Sequence, residues 1–247
     1  MERSPRKRVC LLTGAGGAFG SAFCQQLASD YDIVAVHRGA PPQVPTQDQS
    51  RIDPLDPRKP LVVNTHRVFA VQADLEDDRE IDRVVELALA RYERIDLLVN
   101  AAVSYSFGPL LGSRRLLDSL EQQFRVNSIL PVKMAVTVAE RFWQVHDQDN
   151  LSENRNVVNL SSTASFTVRA DTGGAGYSTS KVALNYLSRF MAQEFKRVGV
   201  RVNALAPAAF PTAEVPMRAV LDGVRQLDSG AMTGRILVLD GQGPQLR

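Results

Sequence analysis

Short apolar or β-branched runs alternate along this chain with longer segments in which apolar residues recur every three or four positions. The runs at residues 9–13, 33–37, 68–72, 95–100, 156–160, 201–205 and 236–240 predict seven strands. Helical periodicity follows the first run, through Phe23, Leu27 and Ala28, and returns at 78–92, where Ile81, Val84, Val85, Ala88 and Tyr92 share one face. Two longer patterns, 113–143 and 178–198, are each long enough to cross a sheet and return, and a last one covers 219–227. Strands separated by crossover helices predict an α/β fold, a doubly wound and mostly parallel sheet with helices on both faces. Two stretches break the alternation. Residues 40–66 carry Pro41, Pro42, Pro45, Pro54, Pro57 and Pro60, too many for a helix, so the second crossover reads as an irregular insertion. Residues 207–220 hold Pro207, Pro211 and Pro216 and read as a short loop. Without an internal repeat or a long linker, residues 1–247 read as one domain.

Composition narrows the class of function. With 44% hydrophobic and 23% charged residues, and 29 Lys+Arg against 27 Asp+Glu for a net charge of +2, the chain can bury a core and carries no field that would gather polyanions. Nucleic acid is therefore not expected as a partner, and the one basic cluster, Arg3, Arg6, Lys7 and Arg8, lies at a terminus that is expected to be solvated. No apolar run is long enough to span a membrane, and no apolar signal segment opens the chain, so a cytoplasmic protein is expected. Cys10 and Cys24 are too few for a disulfide framework, and His37, His66 and His146 share no ligand spacing; no metal site is expected.

Candidate chemistry begins directly after the first strand, with Thr13-Gly14-Ala15-Gly16-Gly17-Ala18-Phe19-Gly20 leading into a helix. In that context glycines let the backbone approach a pyrophosphate resting on a positive helix N-terminus, which points to a Rossmann-type dinucleotide site at Gly14, Gly16, Gly17 and Gly20. The second strand ends Val36-His37-Arg38. A carboxylate there would hold the 2′-hydroxyl of NAD, whereas a guanidinium meets the 2′-phosphate of NADP, so Arg38 favours NADPH, with His37 a weaker contributor.

Further motifs follow in order: Asn100-Ala101-Ala102, Asn127, Ser161-Ser162 and Tyr177-Ser178-Thr179-Ser180-Lys181. With the glycine loop, this ordered set resembles the short-chain dehydrogenase/reductase family over essentially the whole chain. The resemblance implies the strand order 3-2-1-4-5-6-7, and a catalytic set of Asn127, Ser162, Tyr177 and Lys181, with Ser162 favoured over Ser161. It also implies that Phe19, Asp74, Leu75, Asn100, Ala101, Ala102, Tyr177, Lys181, Pro207 and Thr212 contact the cofactor, although an Asp74 before a helix would equally serve as a plain N-cap. Tyr177 and Lys181 stand one helical turn apart, so the ammonium is expected to lower the phenol pKa toward the working pH. Three alanines replace family glycines: Ala18, Ala102 and Ala208. Each is expected to be tolerated provided its φ is negative.

The implied activity is NADPH-dependent reduction of a carbonyl to a secondary alcohol. Alcohol oxidation by the same residues, and a non-catalytic NADP(H)-binding regulator, stand as alternatives, and the intact catalytic set argues against the regulator. The short 207–220 loop suggests an open cleft for a bulky substrate, unless residues 104–112 supply a lid. The two long helices are apolar on more than one face, and the family's two-fold helix pairing implies a homodimer or homotetramer.

Overall fold

The computed structural model describes residues 7–44, 68–168 and 173–247. The expected insertion at 40–66 falls almost wholly outside the described residues. Eight strands form one sheet: β1 (Arg8–Thr13), β2 (Tyr31–His37), β3 (Val68–Gln72), β4 (Leu97–Asn100), β5 (Asn156–Leu160), β6 (Arg201–Pro207), β7 (Ile236–Asp240) and β8 (Gly243–Leu246), in the order β3-β2-β1-β4-β5-β6-β7-β8. Every pairing is parallel except β7 with β8. The seven-stranded expectation is corrected by β8. That strand is short, contains Pro244, and lacks the β-branched run that marks the others, but Asp240-Gly241 before it is a hairpin signal.

The crossovers are α1 (Ala18–Leu27), α2 (Asp78–Tyr92), α3 (Arg114–Phe124) continuing into α4 (Leu130–Val138), the short α5 (Asp147–Asn150), α6 (Ala175–Phe195) and α7 (Met217–Ser229). The pattern at 113–143 is not one regular helix, because π turns at Arg125–Ile129 and Ala139–Trp143 interrupt it. A π turn adds a residue per turn and is most often found where a side chain must be re-aimed; here the first holds Asn127.

Strand period and helix period meet in two core layers. Along β1, Val9 and Leu11 face α2, α4 and α6 through Val84, Met134, Trp143 and Phe195. Cys10 and Leu12 face α1 and α7 through Phe23, Leu27, Val220 and Val224. Both cysteines are buried free thiols. The N-terminal ends of the strands carry buried charges with structural partners: Arg8 is not a solvated terminal cation but clamps Asp228 at 2.9 Å, and Asp228 also accepts from the Tyr31 hydroxyl at 2.9 Å. Not every apolar residue of the long helices enters the core. Leu117, Phe124, Ile129 and Val136 are exposed, as are Val182, Tyr186 and Phe190 at four-residue spacing on α6. No helix among the described residues is long and apolar enough to cross a membrane.

Candidate active site

The C-terminal ends of β1 to β6 open onto one cleft of about 810 Å³. This is where an open parallel sheet places ligands, since the strand order reverses about β1 and the flanking crossovers splay apart. The glycine loop forms one wall. Gly14 takes φ +70°, and a Cβ there would stand 2.6 Å from the Ala101 carbonyl oxygen, so β1 can approach β4 only with glycine at this position. Thr13 locks the same junction: its Oγ1 accepts from the Ala101 and Ala102 amides at 3.1 and 3.2 Å.

Gly17 differs from its neighbours, because a Cβ on it would meet little but open space on the cleft side. It is the N-cap of α1, with no side-chain cap and no acidic residue in the first turn. The helix's first amides are thus available to an anion, and the bare Cα lets a pyrophosphate come close. A dinucleotide fits this wall. None of Ala18, Ala102 and Ala208 takes a positive φ, so the three extra methyl groups leave the backbone unstrained.

Of the residues anticipated at the cofactor, Gly14, Gly16, Gly17, Phe19, Gly20, His37, Arg38, Asp74, Leu75, Ala101, Ala102, Tyr177, Lys181 and Pro207 line the cleft. Two do not. Asn100 is buried beneath it, its amide donating to Asn159 Oδ1 at 2.9 Å, and so bridges β4 to β5. Thr212 lies outside the cleft: its hydroxyl donates to the Ala209 carbonyl at 3.1 Å and accepts the Val215 amide at 3.0 Å, closing a turn within its own loop. Nor is Asp74 an N-cap. Asp77 caps α2, accepting from the Arg79 amide at 3.0 Å, while Asp74 accepts from the Glu76 amide at the cleft edge.

Arg38 has a partner that strand-end reading missed. Its guanidinium pairs with Glu76 at 3.2 Å, and Gln122 also donates to Glu76 Oε1, at 3.3 Å. A carboxylate therefore does reach the end of β2, delivered by the loop after β3. The adjacency of β2 and β3 brings it there, whereas 38 residues of chain separate the pair in sequence.

At the other end of the cleft, Ser162 and Tyr177 both line the wall, and Ser162 Oγ accepts the Ala164 amide at 3.2 Å. Tyr177 lies in the first turn of α6, which begins at Ala175, and Lys181 follows one turn later. Lys181 is buried; its Nζ donates to the Leu160 carbonyl at 2.8 Å and stands 5.8 Å from the centroid of the Tyr177 ring. Burial pushes the ammonium down to about 7. Removal from water also pushes the phenol up, with Ser162 pulling the other way. The expected lowering of Tyr177 by Lys181 is therefore not seen. In this structure removal from water outweighs a cation whose own charge burial has weakened.

Asn127 is fully buried behind this group and ties two elements together. Its amide donates to the Ser104 carbonyl at 2.7 Å and to Ser180 Oγ at 3.0 Å, and its Oδ1 accepts the Ser104 amide at 2.8 Å. Sequence reasoning also missed Gln123, one turn earlier and equally buried, whose Oε1 accepts the Ser106 amide at 3.3 Å. The i, i+4 spacing of Gln123 and Asn127 was readable; the loop they hold was not.

The family profile described as short chain dehydrogenase matches residues 8–219. The chain belongs to that family. It is an oxidoreductase acting on alcohol and carbonyl groups, within a family served by nicotinamide cofactors. An uncharacterised NAD-dependent oxidoreductase of Mycobacterium tuberculosis is 28% identical to this dehydrogenase over 223 residues, covering 87% of the chain and 75% of the relative. A hydroxynaphthalene reductase of Aspergillus fumigatus is 26% identical over 201 residues, covering 81% and 66%. Among solved structures, a 4-hydroxyisoleucine dehydrogenase complexed with NADH and succinate superposes with a TM-score of 0.72 at 22% identity, covering 94% of this chain and 98% of that one. At that identity the likeness speaks for the fold.

Proposed function

We propose that this dehydrogenase, one domain over residues 1–247, reduces a ketone to a secondary alcohol with NADPH. The reading rests on one observation above the rest: a half-buried Tyr177 and Ser162 lining the same end of the cleft, with the buried Lys181 one turn along. A phenol pushed up by burial is protonated at neutral pH, which is the state a proton donor to a carbonyl oxygen needs. The bound nicotinamide would supply the hydride to the carbonyl carbon. Tyr177 gives its proton to the oxygen, and Ser162 donates a hydrogen bond to the same oxygen as charge develops on it. Lys181, near its midpoint at neutral pH, is placed to return a proton toward the phenol and to meet the nicotinamide ribose. Asn127 holds Ser104 and α6 in register around this group.

Arg38, mostly exposed at the cleft edge, supports NADPH as the cofactor. One observation favours a second reading, NAD-linked alcohol oxidation: Glu76 already neutralises Arg38 and offers a carboxylate to a ribose hydroxyl. The proposal includes a homodimer or homotetramer, because Val182, Tyr186 and Phe190 leave an apolar stripe exposed on α6. The deciding experiment is Tyr177→Phe with NADPH and NADH against a panel of ketones. kcat should fall by about 10²–10⁴-fold while cofactor affinity stays within about twofold. Retention of most of kcat would remove Tyr177 as the acid and the reading with it.

A further inference from the structure

Resting on that reading, we infer that the substrate is a neutral, flat, aromatic ketone, selected by a fixed wall of aromatic rings that leads from Tyr177 to the mouth of the cleft. Phe107 lies 6.1 Å from the Tyr177 ring centroid, and Tyr105 lies 5.7 Å from Phe107. The three rings follow one another at the spacing of neighbouring aromatic contacts, offering a flat ligand more than one ring to meet. Tyr105 is 65% and Phe107 56% exposed, yet both line the cleft, so their faces serve the cavity and add little to the core.

Their backbone is held in place before anything binds. Asn127 binds both polar groups of Ser104, Gln123 accepts from Ser106, and the Gly108 amide donates to the Gly173 carbonyl at 3.0 Å. The Phe107 ring packs on Gly174, where a Cβ would stand 3.2 Å from its edge. Aromatic surface on a fixed loop costs little ordering on binding, so contact with a flat ligand appears in affinity.

Charge completes the argument. Among the described residues, the charged side chains lining the cleft are Arg38, Asp74, Glu76 and Lys181. The first three stand over β2 and β3, at the far end from Tyr177, and Lys181 is buried beneath that ring. The neighbours of the rings in the lining are Val103, Ser104, Gly174 and Ser178, and none of the described residues there is a cation that could meet a keto acid. Aliphatic ketones would gain area burial only. An aromatic ketone gains in addition the offset or edge contact that tilted rings favour.

The test compares 1-tetralone with 1-decalone, which share a bicyclic skeleton and carbonyl position but differ in the flat aromatic ring, and with phenylpyruvate, using wild-type enzyme and the Tyr105→Leu/Phe107→Leu variant with NADPH and with NADH. The equilibrium binding of 2-naphthol to the enzyme saturated with NADP⁺ is followed alongside. Wild-type kcat/KM should favour tetralone over decalone by at least about tenfold, or ~1.4 kcal/mol, and phenylpyruvate should be a poor substrate. Leucine keeps the apolar volume, so in the variant the tetralone to decalone ratio should fall to within about threefold of unity and 2-naphthol should bind at least about fivefold more weakly. Equal use of tetralone and decalone by wild type overturns the inference. So does parallel loss of both in the variant, which would make the rings only supports of the loop. If no ketone is reduced while 2-naphthol still loses affinity in the variant, the aromatic site stands and the hydride-transfer reading fails.

Discussion

Glu76→Gln should raise the preference for NADPH over NADH by about 5- to 30-fold. In this structure Glu76 sits 3.2 Å from the Arg38 guanidinium, with the Arg side chain 66% and the Glu side chain 25% exposed. At that separation the bare Coulomb attraction is about 1.3 kcal/mol in a water-like dielectric, and exposed pairs deliver roughly 0.2–1 kcal/mol after screening and side-chain entropy. A 2′-phosphate seated on Arg38 must displace or share this partner, and sharing places a carboxylate about 6 Å from a doubly charged phosphate. That adds a repulsion of roughly 1.4 kcal/mol before salt screening. The two effects together make about 1–2 kcal/mol, which at 1.4 kcal/mol per tenfold gives the stated range. Glutamine keeps the oxygen that Gln122 donates to, so the loop geometry should persist.

The assay is the dissociation constant of NADPH and of NADH, read by nucleotide fluorescence at low salt and again at about 1 M salt. NADPH should tighten and NADH should change by less than about threefold. The gain should largely vanish at high salt, where the Debye length is only ~3 Å. Equal shifts for the two nucleotides, or a gain that survives salt, would refute the electrostatic account and leave Arg38 a structural residue. The partner change Arg38→Asp should reverse the ratio of kcat/KM values by at least about tenfold toward NADH.

Two further outcomes follow from burial and exposure. Lys181 is held down at about 7 when folded against 10.5 in an exposed lysine, so the unfolded chain binds the extra proton between those values. Its contribution to stability therefore rises with pH from about 7 upward and is most unfavourable below 7, so Lys181→Met should raise the Tm of the cofactor-free protein at pH 6 more than at pH 8.5; equal changes at both would show that the ammonium is not desolvated. Tyr186→Glu with Phe190→Glu should convert an oligomer to monomer by light scattering at micromolar concentration, since two carboxylates would then face the apolar stripe of a second copy; an unchanged mass for both proteins would place the interface elsewhere.

The local chemistry of this chain was legible because it is periodic or punctuated. Seven strands and the helix faces follow from alternation at two and at 3.6, and 78–92 matches α2 residue for residue because its apolar stripe runs its full length, although its cap is Asp77 and not Asp74. The Thr13–Gly20 loop and the Tyr177–Lys181 spacing are short-range patterns whose geometry a strand end or a helix turn enforces by itself. What sequence left open lies between elements. The edge strand β8 draws its stability from pairing with β7 and not from its own composition. Thr212 falls at the expected place in sequence, but its hydroxyl satisfies its own turn first. Tyr177 is shifted upward because removal from water depends on everything packed around it, a quantity no i, i+4 rule contains. The Arg38–Glu76 pair and the Tyr105–Phe107–Tyr177 row join segments far apart in the chain. They exist because parallel strands deliver their C-terminal loops to one edge, so which side chains meet there is decided by strand order and only afterwards by sequence neighbourhood.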